Sequence, residues 1–166
     1  MPEPRPMPEP RDGPIWTPPT GPPANANVPR DVYERVGEEP IRDLLRDFYR
    51  RLAESPVAYL FPTEAEELAE AAERSADFFV FLLGGPPLYQ QRHGPPMMRA
   101  RHMPFAIDLE ARNAWMGCFV QALDASIERG GYPADRRDDL VNFLRGFSLW
   151  MVNVEPGPDP EDEDPS

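Results

Sequence analysis

The side chains with the clearest chemical potential stand in residues 84–107, which read GGPPLYQQRHGPPMMRARHMPFAI. Paired glycines and prolines break this stretch twice, because glycine can end a helix in the left-handed conformation and proline cannot continue one. After the second break, Met97 to Met103 has room for about two helical turns before Pro104. His102 is therefore held on a short element bounded by proline. A neutral imidazole there could bind iron or zinc, or transfer a proton.

The sequence does not indicate a metal or catalytic site that needs several histidine or cysteine residues. The chain has two histidines and one cysteine, which give no zinc-ligand spacing. His93 gains no local support, and Cys118 is interpreted as a small buried hydrophobic residue. The sequence has no phosphate- or dinucleotide-binding glycine loop, and no Ser-His-Asp arrangement can be assigned. One axial nitrogen and an apolar cleft are enough for iron protoporphyrin.

The composition favours one small acidic domain with polar appendages. The 166 residues carry a net charge of −12, which disfavours nucleic acid and anionic membranes as partners. A single cysteine cannot form an intrachain disulfide, which fits a reducing compartment. No apolar run reaches the roughly 18 residues of a membrane span, and the first residues lack the apolar segment of a signal peptide. We therefore expect a cytoplasmic protein without nucleic-acid or membrane partners.

The two ends of the chain differ from its middle. Residues 1–30 are rich in proline and almost free of aliphatic side chains, so we predict a disordered arm. Trp16 is the exception: it is either an isolated aromatic or a short docking motif for this domain, a neighbouring subunit or another protein. Residues 155–166 predict an acidic, disordered tail. Residues 31–154 predict the folded domain.

The elements that must position His102 are helices. Apolar residues recur at three- and four-residue spacing, which is typical of one buried helix face. Pro40 can stand in a first helical turn, where it would separate a short leading helix from a longer one. An apolar corner, PVAYLFP, follows. The predicted helical regions are 32–55, 63–83, 108–130 and 133–155.

Local signals mark where these helices begin. Thr63 and Glu66 have the spacing of a capping box. Asp108 can cap the next helix with its carboxylate. Pro133 suits the first turn of the last helix. The sequence thus predicts an all-α domain.

The motifs, taken together, resemble the truncated haemoglobins, specifically their second group. The pattern is GGP-x-x-Y, R-x-G-x-P, R-x-R-H-x-P-F-x-I and then a helix with A-W, within a likeness that covers about residues 32–153. The matching positions are Gly84, Gly85, Pro86, Tyr89, Arg92, Gly94, Pro96, Arg99, Arg101, His102, Pro104, Phe105, Ile107, Ala114 and Trp115. The resemblance implies a globin-like fold, the truncated 2-on-2 helical sandwich enclosing a haem. It implies haem b (iron protoporphyrin IX), with His102 as the iron ligand.

The resemblance also implies a distal pocket with two hydrogen-bond donors. Tyr49 matches the tyrosine whose hydroxyl points into that pocket, and Trp115 matches a tryptophan whose indole N–H faces the bound ligand. From the residues alone, Tyr49 could instead be a core tyrosine bonded to a backbone carbonyl, and Trp115 a core tryptophan.

Three further positions are carried over to the distal side. Phe61 matches the aromatic that stacks on the haem, although the short corner leaves Tyr59 as the alternative. The family's spacing places Ala71 and Ser75 over the haem. Ser75 could equally bond back to a carbonyl of its own helix.

The resemblance assigns the remaining cofactor contacts. Arg99 and Arg101, with Tyr89, would hold the propionates, since a guanidinium suits a carboxylate. The apolar contacts would be Phe78, Phe79, Met98, Phe105 and Phe119.

The implied function is binding of O2 and other diatomic ligands. NO detoxification and peroxidase-like activity are the candidate reactions, with NO, CO or peroxide as further ligands and an unidentified reductase. Two alternatives stay open: a globin-fold signalling or interaction module without haem, and a dedicated haem peroxidase or NO dioxygenase. A disordered arm also predicts that deleting residues 1–30 leaves haem affinity unchanged.

Overall fold

The structure, a computed structural model, describes residue 9, residues 11–23 and residues 28–156. Within these residues it contains seven α-helices, two short 3-10 turns and no strand. The helices are α1 (Val32–Val36), α2 (Glu38–Ala53), α3 (Ala65–Leu82), α4 (Leu88–His93), α5 (Met98–His102), α6 (Leu109–Glu128) and α7 (Arg137–Met151). The prediction of an all-α fold is confirmed.

The helices form two packed pairs around one core. Helix α2 packs against both α3 and α6, and α6 packs against α7. The apolar face predicted for α2 is buried, with Ile41, Leu44, Leu45, Phe48 and Leu52 inside. Burying such side chains contributes roughly 1.5–3 kcal/mol each. This arrangement places α2 and α3 along one side of the core and α6 and α7 along the other.

Helix boundaries differ from the sequence prediction at two starts. The predicted capping box of Thr63 and Glu66 does not form; helix α3 begins at Ala65, with Glu64 as N-cap and no side-chain cap. Helix α7 begins at Arg137, because a 3-10 turn intervenes after Pro133. The Asp108 cap is confirmed, since its carboxylate accepts a 2.7 Å hydrogen bond from the Ala111 N–H.

The predicted breaks around residues 84–97 produce two short helices. Gly84 has a φ of +99°, and a Cβ there would lie 1.8 Å from the Arg30 carbonyl oxygen, so only glycine fits. Gly94, with a φ of +84°, follows α4. Met97 then adopts a left-handed conformation and leads into α5. Each of these helices is too short to be stable alone, so tertiary contacts must hold them.

The described part of the N-terminal segment runs along the domain. Residues 11–16 donate backbone and side-chain hydrogen bonds to residues 103 and 153, and Pro18 is buried. Residues 1–8, 10, 24–27 and 157–166 lie outside the described residues. The division into arm, domain and tail therefore stays a prediction, but residues 11–23 lie against the domain.

No helix in the described ranges is long and apolar enough to cross a membrane.

Candidate functional site

His102 ends α5, and its ring has a defined protonation pattern. Its Nδ1 lies 2.6 Å from the Met98 carbonyl oxygen, one turn earlier. Because a carbonyl can only accept, Nδ1 carries the proton. Burial lowers the pKa of His102, so the ring is neutral near pH 7. A neutral ring protonated at Nδ1 has its lone pair at Nε2, which is therefore the atom available to a metal.

Arg101 fixes the loop before α5 from a buried position. Its Nε and Nη2 atoms donate to the carbonyls of His93 (2.7 Å), Pro95 (3.0 Å) and Pro96 (2.9 Å). These bonds tie the Gly-Pro-Pro turn to the helix that carries His102. Nη1 is buried and has no partner among the described residues. An unpaired buried guanidinium nitrogen is costly, so this atom is suited to an acceptor from a bound group.

Aromatic rings connect Arg101 to helix α3. The Arg101 guanidinium lies 5.5 Å from the centre of the buried Tyr89 ring. Tyr89 meets Phe78 of α3 edge-to-face at 6.1 Å, and Phe78 stacks on Phe147 at 5.7 Å. The surface beside α5 is thus formed by these aromatic rings and by the Arg101 guanidinium.

Tyr49, Ser75 and Phe61 form a second group, from α2, α3 and the corner between them. Burial raises the pKa of the Tyr49 phenol, and the nearby Ser75 hydroxyl opposes that rise. Phe61 meets Tyr49 edge-to-face at 5.7 Å, whereas Tyr59 is 70% exposed. The structure therefore places Phe61, not Tyr59, beside the tyrosine. Ala71 is buried one turn before Ser75 on α3.

Trp115 joins this group through a fully buried layer. Its ring meets Phe48 edge-to-face at 5.1 Å and stacks on Phe119 at 5.8 Å. Phe119 in turn stacks on Phe79 at 5.4 Å. Phe119 has no exposed surface, but Trp115 is only half-buried. No described residue accepts a hydrogen bond from the Trp115 indole N–H, so that donor is available to a ligand.

Two predicted cofactor contacts are not brought into the group. Arg99 donates to the Trp150, Val152 and Trp16 carbonyls, so backbone acceptors already occupy its guanidinium. The assignment of Arg99 to a propionate stays a prediction. Phe105 is 44% exposed. Its backbone carbonyl accepts a hydrogen bond from the side chain of Asn153.

Sequence reasoning missed two charged groups near the site. Burial raises the pKa of Tyr49 and lowers that of His93, and the charge of Arg74, adjacent to Ser75, acts on both groups in the lowering direction. Asp77, one turn later on α3, is buried and accepts hydrogen bonds from Arg42 (2.7 Å) and Arg92 (2.8 Å). The sequence signal that could have identified Asp77 is an acidic residue in the apolar second half of α3. A carboxylate is stable at such a buried position only when it is ion-paired.

The residues around His102 fit a planar, largely apolar cofactor with acidic groups. Tyr49, Phe61, Phe78 and Trp115 are only partly buried although they rest on the buried core. Within the described residues, no hydrogen bond or ring contact joins Tyr49 or Trp115 to His102. The chain thus offers a potential ligating nitrogen on α5 and two potential donors, Tyr49 on α2 and Trp115 on α6, that pack against the aromatic core.

A cleft of about 850 Å³ opens next to this group, between α3, α5 and α7. Phe78 and Met98 line it, together with Phe147 and Trp150. Its lining residues do not include Tyr49, His102 or Trp115 among those that the structure describes. It adjoins the candidate site but does not contain its polar atoms.

Comparison with known proteins agrees with this geometry. A family model described as bacterial-like globin matches residues 31–153. The chain is 45% identical over 121 residues to the group 2 truncated hemoglobin YjbI of Bacillus subtilis (strain 168), covering 73% of this chain and 87% of that protein.

Solved structures show the same similarity. The X-ray structure of a truncated oxygen-avid haemoglobin from Bacillus subtilis has a TM-score of 0.65 and 39% identity, covering 73% of this chain and 98% of that one. The group II truncated hemoglobin from Bacillus anthracis has a TM-score of 0.68 and 34% identity, covering 78% and 95%. The family match begins at residue 31, so the proline-rich segment lies outside it.

Proposed function

The chain belongs to the bacterial-like globin family, and from this premise we propose that His102 is the iron ligand of haem b in a pocket between α3 and α5. As a truncated haemoglobin the protein binds haem and a small gaseous ligand such as O2. The observation that carries the ligand assignment is the 2.6 Å hydrogen bond from His102 Nδ1 to the Met98 carbonyl. It leaves Nε2 unprotonated and fixes the direction in which that atom points.

Arg101 supports the proposal from the side of the cofactor's acidic groups. Its Nη1 is buried and unpaired within the described residues, and a carboxylate is the acceptor that a guanidinium binds most strongly. The Tyr89 ring stabilises the Arg101 guanidinium through a cation–π contact. The positive charge of Arg74, which reaches both Tyr49 and His93, favours acidic groups in the same region.

The distal side is formed by Tyr49 and Trp115. Haem, when bound, supplies an iron centre for diatomic ligands and for one-electron chemistry. Tyr49 stays protonated near pH 7, because burial raises its pKa, so its hydroxyl can donate to a ligand. Trp115 offers a second N–H. We assign these two groups the role of holding a polar diatomic ligand in place.

Two donors favour slow ligand release over rapid delivery. Hydrogen bonds to charged groups are worth about 1.5–3 kcal/mol, and roughly 1.4 kcal/mol is tenfold in an equilibrium. We therefore propose redox chemistry on a retained ligand, with NO detoxification or peroxidase-like turnover as the reaction and an unidentified reductase as partner. Mixing the oxygenated protein with NO, or the ferric protein with peroxide, tests this: turnover no faster than that of free haem contradicts it.

The haem-free alternative has less support. It depended on Ser75 and on the two polar ends of the chain, but Ser75 lies close enough to Tyr49 to influence the pKa of its phenol. The relatives reported above are named as haemoglobins.

The decisive experiment replaces each histidine in turn. We expect wild-type protein to bind one haemin per chain, with a sharp Soret band and a carbonmonoxy spectrum typical of a histidine ligand. His102→Gly should lose the five-coordinate ferrous spectrum and regain it with added imidazole. His93→Gly is the matched control, since it removes the other histidine and should leave the spectrum unchanged.

Two results would overturn the assignment. Unchanged spectra in His102→Gly would exclude His102 as the ligand. A wild-type protein with no saturable Soret band on haemin titration would show that the chain keeps the fold without the cofactor.

A further inference from the structure

Asn153, just beyond α7, is fully buried and uses every hydrogen-bonding position of its side-chain amide. Its Oδ1 accepts from the Ile107 N–H at 2.9 Å and from Arg11 Nη2 at 3.2 Å. Its Nδ2 donates to the Phe105 carbonyl at 2.9 Å and to the His102 carbonyl at 3.4 Å. An amide can make about four such bonds, so one side chain holds the segment that follows the proposed iron ligand.

The backbone of Asn153 continues the same connections. Its N–H donates to the Ile107 carbonyl at 2.9 Å, and its carbonyl accepts from the Trp16 N–H at 2.9 Å. Arg11 Nη2 reaches that carbonyl at 3.0 Å, and the Arg11 N–H donates to the Met103 carbonyl at 3.2 Å. Residues 11–17, which we call the strap, are thereby fastened to Met103 within the His102–Ile107 loop and to Asn153, which holds that loop from the end of α7.

Arg99 closes this arrangement from α5. Its Nη2 donates to the Trp16 carbonyl at 2.8 Å, and its Nη1 donates to the carbonyls of Val152 (2.9 Å) and Trp150. Its guanidinium also lies 4.7 Å above the Trp150 ring. Helix α5, the end of α7 and the strap are therefore joined by one side chain.

We propose that Asn153, with the strap, is a positioning device for His102: it sets where α5 ends and so how the imidazole is presented. The proposal rests on His102 being the haem ligand. Helix α5 has five residues and cannot hold its own conformation. The loop after it is not helical, so its backbone groups need other partners. Asn153 and Arg11 supply those partners from opposite ends of the chain.

This assigns a role to a segment outside the family match. Truncation before Thr17 should therefore weaken haem retention, in contrast to the expectation that deletion of residues 1–30 is neutral. Arg11 is the residue to test first, because it lies at the surface of the fold and its loss should not prevent folding. Asn153 is buried, so Asn153→Asp is the conservative change: it keeps the size and one acceptor but cannot donate to the two carbonyls.

The first measurement uses the apoprotein and does not depend on haem. Amide hydrogen exchange of the 103–107 segment should be roughly tenfold faster in Arg11→Ala and Asn153→Asp than in wild type, a tenfold change in opening being the expected effect of losing one such bond. Arg129→Ala is the matched control, because Arg129 is exposed at the end of α6. If the amide exchange rate of the 103–107 segment is unchanged in both test variants, the inference that the strap and Asn153 hold this segment is wrong.

The second measurement uses the haem-loaded protein. We expect both variants to shift the iron–histidine stretching band of the ferrous form and to lose haemin to apomyoglobin roughly tenfold faster, whereas Arg129→Ala matches wild type. Faster exchange with an unchanged band would show a structural tie only and overturn the positioning role. If wild type itself takes up no haemin, the proposed function fails, and with it this role; the exchange result then still reports on the contacts.

Discussion

Replacing Tyr49 with phenylalanine tests the distal site most directly. The change removes one hydroxyl and keeps the ring that meets Phe61 at 5.7 Å and Phe48 at 5.6 Å. Burial raises the pKa of the phenol, so the wild-type group is a proton donor across the physiological range.

The magnitude follows from the number of donors. Losing one hydrogen bond to a charged or strongly polar ligand costs about 1.5–3 kcal/mol, or roughly 10–150-fold in dissociation rate if the transition state lacks that bond. Trp115 remains in the single variant, so we expect the lower end, about tenfold. Adding Trp115→Phe should increase the rate further. Ser75→Ala should change it less, because the donor itself is retained.

The assay is the O2 dissociation rate of the ferrous protein, followed by stopped-flow displacement with CO. Tyr33→Phe is the matched control: this half-buried tyrosine lies on α1, and its loss should leave the rate unchanged. A rate within about a factor of two of wild type in the double variant would mean that neither group faces the ligand, and the reasoning would be refuted.

Three other results are expected. Gly84→Ala should lower the thermal unfolding midpoint, since the left-handed backbone (φ +99°) and a Cβ 1.8 Å from a backbone carbonyl leave no room; a midpoint equal to wild type contradicts this. His93 should titrate by NMR below the ordinary value of about 6.5, because burial lowers its pKa. The unfolded state then binds more protons, so this contribution to stability is lost as pH falls below about 6.5; titration above that value would contradict the burial. Asp77→Ala should destabilise the apoprotein by about 1.5–3 kcal/mol in denaturant unfolding, because buried Arg42 loses this charged hydrogen-bond partner but keeps Glu38 and Glu73. Asp43→Ala, in an exposed ion pair, is the control and should change stability by less than about 1 kcal/mol.

Patterns that depend on neighbours in sequence were predictable. The three- and four-residue spacing in α2 identified its buried face, and the glycine and proline breaks identified the short element that contains α5, whereas α4 was not predicted. The predicted start of α3 was wrong. Thr63 and Glu66 have the residue types and the spacing of a capping box, but the box does not form. The corner continues to Glu64, whose extended backbone makes it the N-cap instead.

The candidate site was predictable in part. The resemblance selected His102, Tyr49 and Trp115, and the structure places them on α5, α2 and α6, respectively. The resemblance could not decide between Phe61 and Tyr59, because both are aromatic and lie two residues apart on a short corner. Exposure separates them: Tyr59 is 70% exposed and Phe61 packs on Tyr49.

The sequence by itself determined the helical class of the domain, the short proline-bounded element and the histidine at its end. These depend on backbone preferences and side-chain periodicity, which act over a few residues. Only the tertiary structure decided that Arg99 serves backbone carbonyls, and that one nitrogen of Arg101 has no partner among the described residues. It also decided that Arg11 reaches Asn153 across 142 positions of sequence. A guanidinium bonds whichever acceptor folding brings within about 3 Å, and no local pattern specifies that acceptor.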